Sequence, residues 1–317
     1  MYGLDDHQKL LCVYTELSHW ILIWPQPSEM HREGKKHQYI RQLDRIARID
    51  DSPRPLTRLL SDKGQIPTGG GVWVIKREFS AFGCHVRVVD LDGLRKDSKE
   101  YQDAFQEVWS SSFDWIIQSY VPLLEQWGEW RVFMIGGKAT YTVMTTKQPG
   151  GGSDDWDWNK VESLFTLEEL TFVHSIIWFM FPLFIIFISR ARWNKDPNIS
   201  ADKVGFPKGL SQVALEVAKK ELLSFAEHTL SHLIKAERRA YHFTPSIALF
   251  CRMDIGIMPN KNGDLRYFVN EITRSPVKTC LWSGSAPDTE AIAHNLGADF
   301  SIIFYEYLCT EHPDLCT

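Results

Sequence analysis

Two carboxylate residues lie where a pair of neighbouring strands would place them side by side. Asp254 falls in an apolar run from Ser246 to Ile257, and Glu271 falls in a second run from Leu265 to Ile272. The segment between the runs, Asn260 to Asp264, contains a glycine and predicts a hairpin turn. Adjacent carboxylates repel each other unless a cation separates them. Because all-oxygen ligands suit Mg²⁺, the pair predicts a magnesium site that nucleotide phosphates and water complete.

Two arginines accompany these carboxylates. Arg252 precedes Asp254 by two residues, so it shares that strand face and could hold a phosphate with two hydrogen bonds. Arg131 interrupts the apolar strand Trp130 to Ile135, where a charge should be paired or should contact an anion. We predict that both arginines act at the reaction centre.

A lysine and a strand exit upstream could hold a nucleotide. Lys76 follows the apolar strand Val72 to Ile75 and precedes a long loop. From this position it could reach nucleotide phosphates while the loop closes over them as a lid. The segment Gln118 to Pro122 ends a buried-type strand, and its backbone groups could read an adenine edge.

Each of these features also has a plain structural interpretation. Lys76 could be a solvated lysine at the end of a strand, and Gln118 to Pro122 could be an ordinary strand exit. Arg131 could face the surface of a half-buried strand. The two carboxylates could be exposed on a hairpin. The order of the four features along the chain favours the nucleotide site over these separate interpretations.

That ordered set resembles the ATP-grasp superfamily, in the style of glutathione synthetase and the ribosomal-protein glutamate ligase. The resemblance covers about residues 63–147 and 203–308. Its motifs are Lys76 before the loop, Gln-x-x-Val at 118–121, Gly-Glu-x-Arg-Val-Phe-x-Ile-Gly-Gly-Lys at 128–138, Arg-x-Asp at 252–254 and Asn-Glu-Ile at 270–272. It implies an α+β fold in which two subdomains hold ATP between antiparallel sheets.

The resemblance also implies roles for particular residues. ATP would be held by Lys76, Ser80, Gly83, Gln118, Val121, Glu129 and Lys138, with Glu125 an alternative to Glu129 at the ribose. Asp254 and Glu271 would bind two Mg²⁺ ions, with Glu271 bridging them, and Arg252 would hold phosphate or acyl-phosphate. The implied reaction activates a small-molecule or peptide carboxylate as an acyl-phosphate, which an amine or thiol then attacks.

Three features depart from the family pattern. The lid loop has one glycine, Gly83, beside the bulky Phe79 and Phe82. Thr273 stands where a third metal ligand, often Asn, is expected. The N-terminal α/β domain that helps to form the acceptor site is short or missing, since residues 1–70 contain few elements.

The remaining elements and the composition define the frame of the molecule. Residues 1–70 predict a short N-terminal region, 71–120 a lid subdomain, and 121–317 a C-terminal subdomain that contains a long amphipathic helix at Leu210 to Arg239. A net charge of −5 and the absence of a basic block give no reason to expect nucleic acid. The six scattered cysteines form no CxxC pair, so they favour reduced thiols in the cytoplasm and do not support a zinc site.

One apolar segment does not fit this scheme. Phe172 to Ile188 is a marginal candidate for a membrane span, within an insertion at about 171–192. A single crossing there would put Lys76 and Asp254 on opposite sides of the membrane, so a span and an assembled ATP site exclude each other. The segment could instead be a buried or interfacial helix, or a translated intron, which we favour.

Four functions therefore remain open at the level of sequence. The first is a carboxylate–amine or carboxylate–thiol ligase, and the second is a small-molecule kinase of the same fold. The third is a nucleotide-binding module without turnover, which Thr273 and the short N-terminal region favour. The fourth is a membrane-anchored protein, supported by the segment 172–188 alone.

Overall fold

A computed structural model describes residues 12–20, 24–33, 36–60, 66–67, 70–78, 86–92, 98–110, 114–146, 160–166, 212–274 and 289–315. Its helices are α1 (Pro27–Glu33), α2 (Lys36–Ile49), α3 (Lys99–Ser110), α4 (Pro122–Trp127), α5 (Gln212–Tyr241) and α6 (Thr289–Glu311). Its strands are β1 (Thr57–Leu60), β2 (Val72–Arg77), β3 (Val86–Asp90), β4 (Trp115–Ser119), β5 (Glu129–Ile135), β6 (Lys138–Thr146), β7 (Lys160–Thr166), β8 (Phe250–Pro259) and β9 (Leu265–Thr273).

The strands form two antiparallel sheets. The first sheet has four strands in the order β1-β4-β2-β3, and the second has five in the order β7-β6-β5-β8-β9. Helices pack on both sheets, so the fold is α+β with two antiparallel sheets, as the sequence resemblance implied. The first sheet includes β1, which lies before the boundary predicted at residue 71.

The first sheet buries one face against α3. Trp73, Ile75, Trp115 and Ile117 project from β2 and β4 into one apolar cluster with Phe105 of α3. Ile116, which alternates with these residues, projects to the other face and joins the larger core. Because side chains alternate along a strand, the residues that share the face of Ile116 point away from α3.

The second sheet buries one of its faces against the long helix α5. Leu222, Ala226, Leu230 and Leu233 of α5 are at most 1% exposed, which confirms the amphipathic face predicted from their spacing. They pack with Trp130, Val132 and Met134 of β5, with Met253 and Ile255 of β8, and with α2 residues that include Tyr39, Ile40 and Leu43. The opposite face of β5 and β8 carries the polar residues of the candidate site.

The N-terminal stretch predicted as one helical segment, Glu29 to Ile49, forms two helices, α1 and α2. Sequence reasoning did not assign β1, β7 or α4, which are short or lie beside turn residues. Among the described residues, no helix combines the length and the apolar character that a membrane crossing needs. The segment 172–188 lies outside the described residues, as do Ser80 and Gly83 of the predicted lid loop.

Candidate functional site

Three charged residues form a row across the second sheet. Asp254 on β8 pairs with Arg131 on β5 on one side and with Glu271 on β9 on the other. Directly opposed residues in antiparallel strands project their side chains from the same face. The structure therefore confirms that Asp254 and Glu271 lie on neighbouring strands at the same level, as the hairpin pattern predicted.

Asp254 is neutralised by an arginine on its own strand. Arg252 donates two hydrogen bonds to the Asp254 carboxylate, of 2.7 Å from Nε and 2.8 Å from Nη2. Both residues are buried, at 8% and 4% exposure. Arg252 Nη2 also donates a 3.4 Å hydrogen bond to Thr273 Oγ1. The positive charge that offsets the repulsion between Asp254 and Glu271 is thus provided in part by Arg252.

Glu271 remains negatively charged among several cations. Its carboxylate lies 3.4 Å from Lys36 Nζ, and its side chain is 31% exposed. Burial raises the pKa of Glu271, but Lys36, Lys76 and Arg252 outweigh that effect and lower the pKa to about 2. Glu271 therefore offers an anionic oxygen with partial access from solvent, which a metal ion requires.

Lys76 joins this group from the first sheet. It is 8% exposed, and burial lowers its pKa to about 8, while attraction to Glu271 and Glu129 opposes that shift. Lys76 belongs to β2 and Glu271 to β9, which are strands of different sheets. Each of the two residues shifts the pKa of the other, so the two separated sequence blocks place opposite charges near each other.

Gln118 projects from the same face of the first sheet as Lys76. Gln118 pairs with Val74, and Lys76 lies two residues beyond Val74 on β2, so the three side chains share a face. Gln118 is 5% exposed, and its Nε2 has no hydrogen-bond partner among the described residues. A buried amide without a partner costs free energy, about 1–3 kcal/mol, unless a ligand accepts its hydrogen bond.

Val121 lies just beyond Gln118, where β4 leads into α4. Its side chain is 5% exposed. Its carbonyl oxygen accepts a 3.0 Å hydrogen bond from the backbone N–H of Leu124, which begins the helix. Val121 can therefore contribute apolar contact near Gln118, while its carbonyl is already engaged by the protein.

Glu129 is the most deeply buried carboxylate of the predicted ATP residues. It is 3% exposed and accepts a 3.2 Å hydrogen bond from Asn270 Nδ2. Arg131 Nε lies 4.0 Å from its Oε1. Burial, together with repulsion from Asp254, raises the pKa of Glu129 to about 7. Glu125, the alternative ribose residue, instead accepts a hydrogen bond from Tyr120, whose pKa rises to about 12 through burial and this contact.

Lys138 lies apart from the other predicted residues. It follows the Gly136-Gly137 turn, at the hairpin end of β5 and β6, and its side chain is 75% exposed. Its Nζ forms a 3.2 Å ion pair with Glu227 of α5. The role of Lys138 in ATP binding remains a prediction, and this placement gives it no support.

Sequence reasoning missed the contribution of helix α2. Lys36, the first residue of α2, is 9% exposed beside Glu271. Tyr39, one turn further along, is 4% exposed, and its pKa is raised by burial and by Glu271 and Asp254. The only sequence signal was the basic character of the stretch from 29 to 49, which does not reveal where its lysines point.

The donor set fits a hard cation that keeps part of its water shell. Among the described residues, Glu129, Asp254 and Glu271 do not bring their oxygens within 4.8 Å of one another as a group of three. A Mg²⁺ ion at this site would take one or two carboxylates from the protein and the rest of its ligands from water and phosphate. That is the usual pattern of nucleotide-bound Mg²⁺.

Comparisons with known proteins give likenesses of fold. No family model matches the chain, and no curated protein matches its sequence significantly. Among solved structures, D-cycloserine synthetase DcsG is 13% identical with a TM-score of 0.49, covering 92% of this chain and 80% of that chain.

Two further solved structures are similar to this chain. A RimK domain ATP-grasp protein from Sphaerobacter thermophilus is 10% identical, with a TM-score of 0.47 and coverage of 93% of this chain and 76% of that chain. The D-alanine-D-alanine ligase of Helicobacter pylori is 12% identical, with a TM-score of 0.43 and coverage of 90% and 65%. At these identities and TM-scores, the likenesses assign neither a family nor an activity to this chain.

Proposed function

We propose that the protein binds ATP with Mg²⁺ between its two sheets and uses it as a ligase. The observation that carries the proposal is that Glu271 of the second sheet lies 3.4 Å from Lys36 and close enough to Lys76 of the first sheet for each to shift the other's pKa. Cations and anionic oxygens from the two sheets then lie near one another, which is the arrangement that a metal-bound triphosphate needs. The partly exposed Glu271 and the unpartnered Nε2 of Gln118 support the same proposal.

Each residue has a distinct role in this proposal. Lys76 and Lys36 hold phosphate oxygens, and Gln118 Nε2 donates to an acceptor nitrogen of adenine beside Val121. Asp254 and Glu271 hold Mg²⁺, which neutralises charge on the transferring phosphoryl group when it is bound. Arg252 and Arg131, on the same sheet face, stabilise a phosphate or acyl-phosphate oxygen.

The proposed reaction is the activation of a carboxylate for attack by an amine or a thiol. The carboxylate oxygen displaces ADP from the γ-phosphorus of ATP and forms an acyl-phosphate. The amine or thiol then attacks the acyl carbon, inorganic phosphate leaves, and the nucleophile loses its proton. The chain's part in both steps is to hold anionic oxygens among Lys76, Arg252 and Arg131 while water is excluded. The lid role of Ser80 and Gly83 remains a prediction.

A nucleotide-binding protein without turnover is the second candidate. Arg252 occupies both oxygens of Asp254 with short hydrogen bonds. Thr273, which stands where a third metal ligand is expected, accepts a hydrogen bond from the same arginine. If Arg252 does not release Asp254 when nucleotide binds, the site holds ATP with Glu271 as its one metal ligand.

Calorimetry of ATP binding to the full chain, with and without Mg²⁺, tests the binding site. We expect Mg²⁺-dependent binding that Lys76→Ala and Gln118→Ala each weaken by about tenfold or more, as expected for a lost charge-assisted or buried hydrogen bond. Lys219→Ala removes an equally charged lysine from a surface ion pair on α5 and should leave affinity unchanged. Binding that ignores Lys76→Ala would contradict the site.

Turnover separates the two candidates. ADP release in mixtures of carboxylates with amines or thiols should require both substrates and should be lost in Glu271→Gln. A protein that binds Mg²⁺-ATP but releases no ADP with any pair supports the second candidate. A stable phosphorylated product without joining would instead identify a kinase.

A further inference from the structure

A second cluster of metal-ligating side chains lies far from the ATP site. Asp50 at the end of α2 faces His228 and His232, which are one helical turn apart on α5. One ligand atom from each of the three residues lies within 4.8 Å of the other two. It is the only group of three or more His, Cys, Asp or Glu residues within such reach in the part of the chain that the structure describes.

One contact within the cluster matches the spacing of ligands around a tetrahedral metal ion. His228 Nε2 lies 3.2 Å from Asp50 Oδ1, and the His228 and His232 ring centroids are 4.4 Å apart. Ligand atoms about 2.0–2.1 Å from a tetrahedral metal lie roughly 3.3 Å from each other. Because the three ligand atoms already lie within 4.8 Å of one another, a modest shift of the His232 side chain would bring all three to this spacing around one ion.

The donor chemistry selects a transition metal. Two imidazoles and one carboxylate suit Zn²⁺ and its neighbours, whereas Mg²⁺ prefers oxygen ligands alone. The His228 side chain is 53% exposed and that of Asp50 is 21% exposed, so water can reach the ion and fill a fourth position. Since the cluster lies at the surface, binding needs no burial of an uncompensated charge.

We propose that Asp50, His228 and His232 form a Zn²⁺ site that clamps α2 to α5. The inference is independent of the proposed ATP function, because α2 begins at Lys36 and ends near Asp50, about 20 Å apart along the helix axis. The ion would join two helices that otherwise meet through apolar contacts of Tyr39, Ile40 and Leu43. The ion would bind the folded chain and not the unfolded chain, in which these three ligands are far apart, so it would stabilise the folded state at the end of α2.

The test is titration of the full chain with Zn²⁺ after removal of bound metal by a chelator. We expect one equivalent to bind in the absence of nucleotide, to raise the Tm by about 3–6 °C near a hundredfold excess over Kd, and to resist competition by Mg²⁺. Co²⁺ in place of Zn²⁺ should show the visible absorption bands of a tetrahedral site. Hydrogen exchange should slow in the last turns of α2.

Substitution of the ligands locates the site. His228→Ala, His232→Ala and Asp50→Asn should each weaken Zn²⁺ affinity at least ~10-fold and remove the Tm rise. His19→Ala removes an exposed histidine outside the cluster and serves as the matched control. Circular dichroism of each variant verifies folding, which these partly exposed positions should not disturb. The absence of Zn²⁺ binding, or equal binding by His232→Ala, would overturn the proposal.

Discussion

At the scale of single residues, the site is a balance of buried charges. Glu129 is driven towards its neutral form by burial and by Asp254, whereas Glu271 is held ionised by Lys36, Lys76 and Arg252. The two carboxylates share a sheet but differ in the number of cations near them. The site therefore has one carboxylate that can carry a proton near neutral pH and one that stays anionic.

The raised pKa of Glu129 predicts a pH-dependent effect of Glu129→Gln. Its pKa is about 7 in the folded state and about 4.3 in the unfolded chain, so the native state binds the extra proton between these values. Protonated Glu129 stabilises the native state fully at pH values below about 4.3, and this stabilisation is lost as the pH rises from there to about 7.

Glu129→Gln, a neutral mimic of the protonated acid, should therefore be more stable than wild type by only about 1 kcal/mol at pH 5, just above the unfolded pKa. At pH 8 it should be more stable by about 3–4 kcal/mol, because the whole difference between the two pKa values then counts. Urea unfolding at both pH values measures the difference. An equal effect of the substitution at pH 5 and pH 8 would show that Glu129 does not titrate in this range.

The lowered pKa of Lys76 predicts weaker nucleotide binding at alkaline pH. The free protein loses the Lys76 proton as the pH passes about 8. Because a phosphate favours the charged amine, ATP binding above that pH must take up a proton, and affinity should fall by up to tenfold per pH unit. Calorimetry in buffers of different ionisation enthalpy measures the proton uptake. Lys76→Arg should abolish both effects, and a flat profile in wild type would refute the assignment.

At the scale of elements, a glycine on β8 lets helix α4 pack closely against the second sheet. Gly256 on β8 lies against Leu124 of helix α4 and Phe268 of β9. A Cβ at this position would lie 2.6 Å from Leu124 Cδ2 and 2.8 Å from the Phe268 ring. The Leu124 side chain can move, but Phe268 is fully buried and cannot. The glycine thus allows α4 to pack beside β8 and β9 near the site.

Gly256→Ala should destabilise the fold by about 1–3 kcal/mol through overpacking. Gly263→Ala is an informative comparison, because Gly263 has open space around it but a φ of +87°, so its cost comes from backbone strain alone. Adding Phe268→Leu to Gly256→Ala should recover part of the loss, whereas it should give no such recovery beside Gly263→Ala. Thermal unfolding of the single and double variants measures this coupling. Equal effects in both backgrounds would exclude the overlap with Phe268.

At the scale of the whole molecule, residues 27–60 are tied to the second sheet by buried charges. Glu29 is 1% exposed and accepts 3.0 Å hydrogen bonds from the backbone N–H of Ser246 and a 2.9 Å hydrogen bond from Arg274. Arg274 also donates to Glu237 of α5. Arg54 donates to Asp44 and to the carbonyl of Val269 on β9. These contacts hold α1 and α2 where Lys36 can reach Glu271.

Arg274→Met should destabilise the protein by about 3–5 kcal/mol, because it leaves Glu29 and Glu237 buried without their shared counter-charge. Adding Glu29→Gln and Glu237→Gln to Arg274→Met should restore much of the loss. Urea unfolding of the single and triple variants measures both effects. A loss below about 1 kcal/mol in Arg274→Met would show that water or local movement compensates the two carboxylates.

The sequence by itself determined the helix with strong hydrophobic periodicity and the pairing of residues on the strands of a tight hairpin. The spacing of Leu222, Ala226, Leu230 and Leu233 predicted the buried face of α5, and the hairpin pattern predicted the pairing of Asp254 with Glu271. These features depend on local periodicity and on strands joined by a tight turn, so residues close together in the sequence are enough to predict them. The spacing of His228 and His232 was likewise visible, but Asp50 is 178 residues from His228.

Only the tertiary structure decided which charges meet. It brought Lys36 to Glu271, closed Arg252 onto Asp254, and left Lys138 on an exposed ion pair with Glu227. Such contacts join residues from different sheets and helices, and no local pattern reports their distance. The pKa values follow from the same arrangement, since burial and neighbouring charges exist only after the two sheets and α2 have packed together.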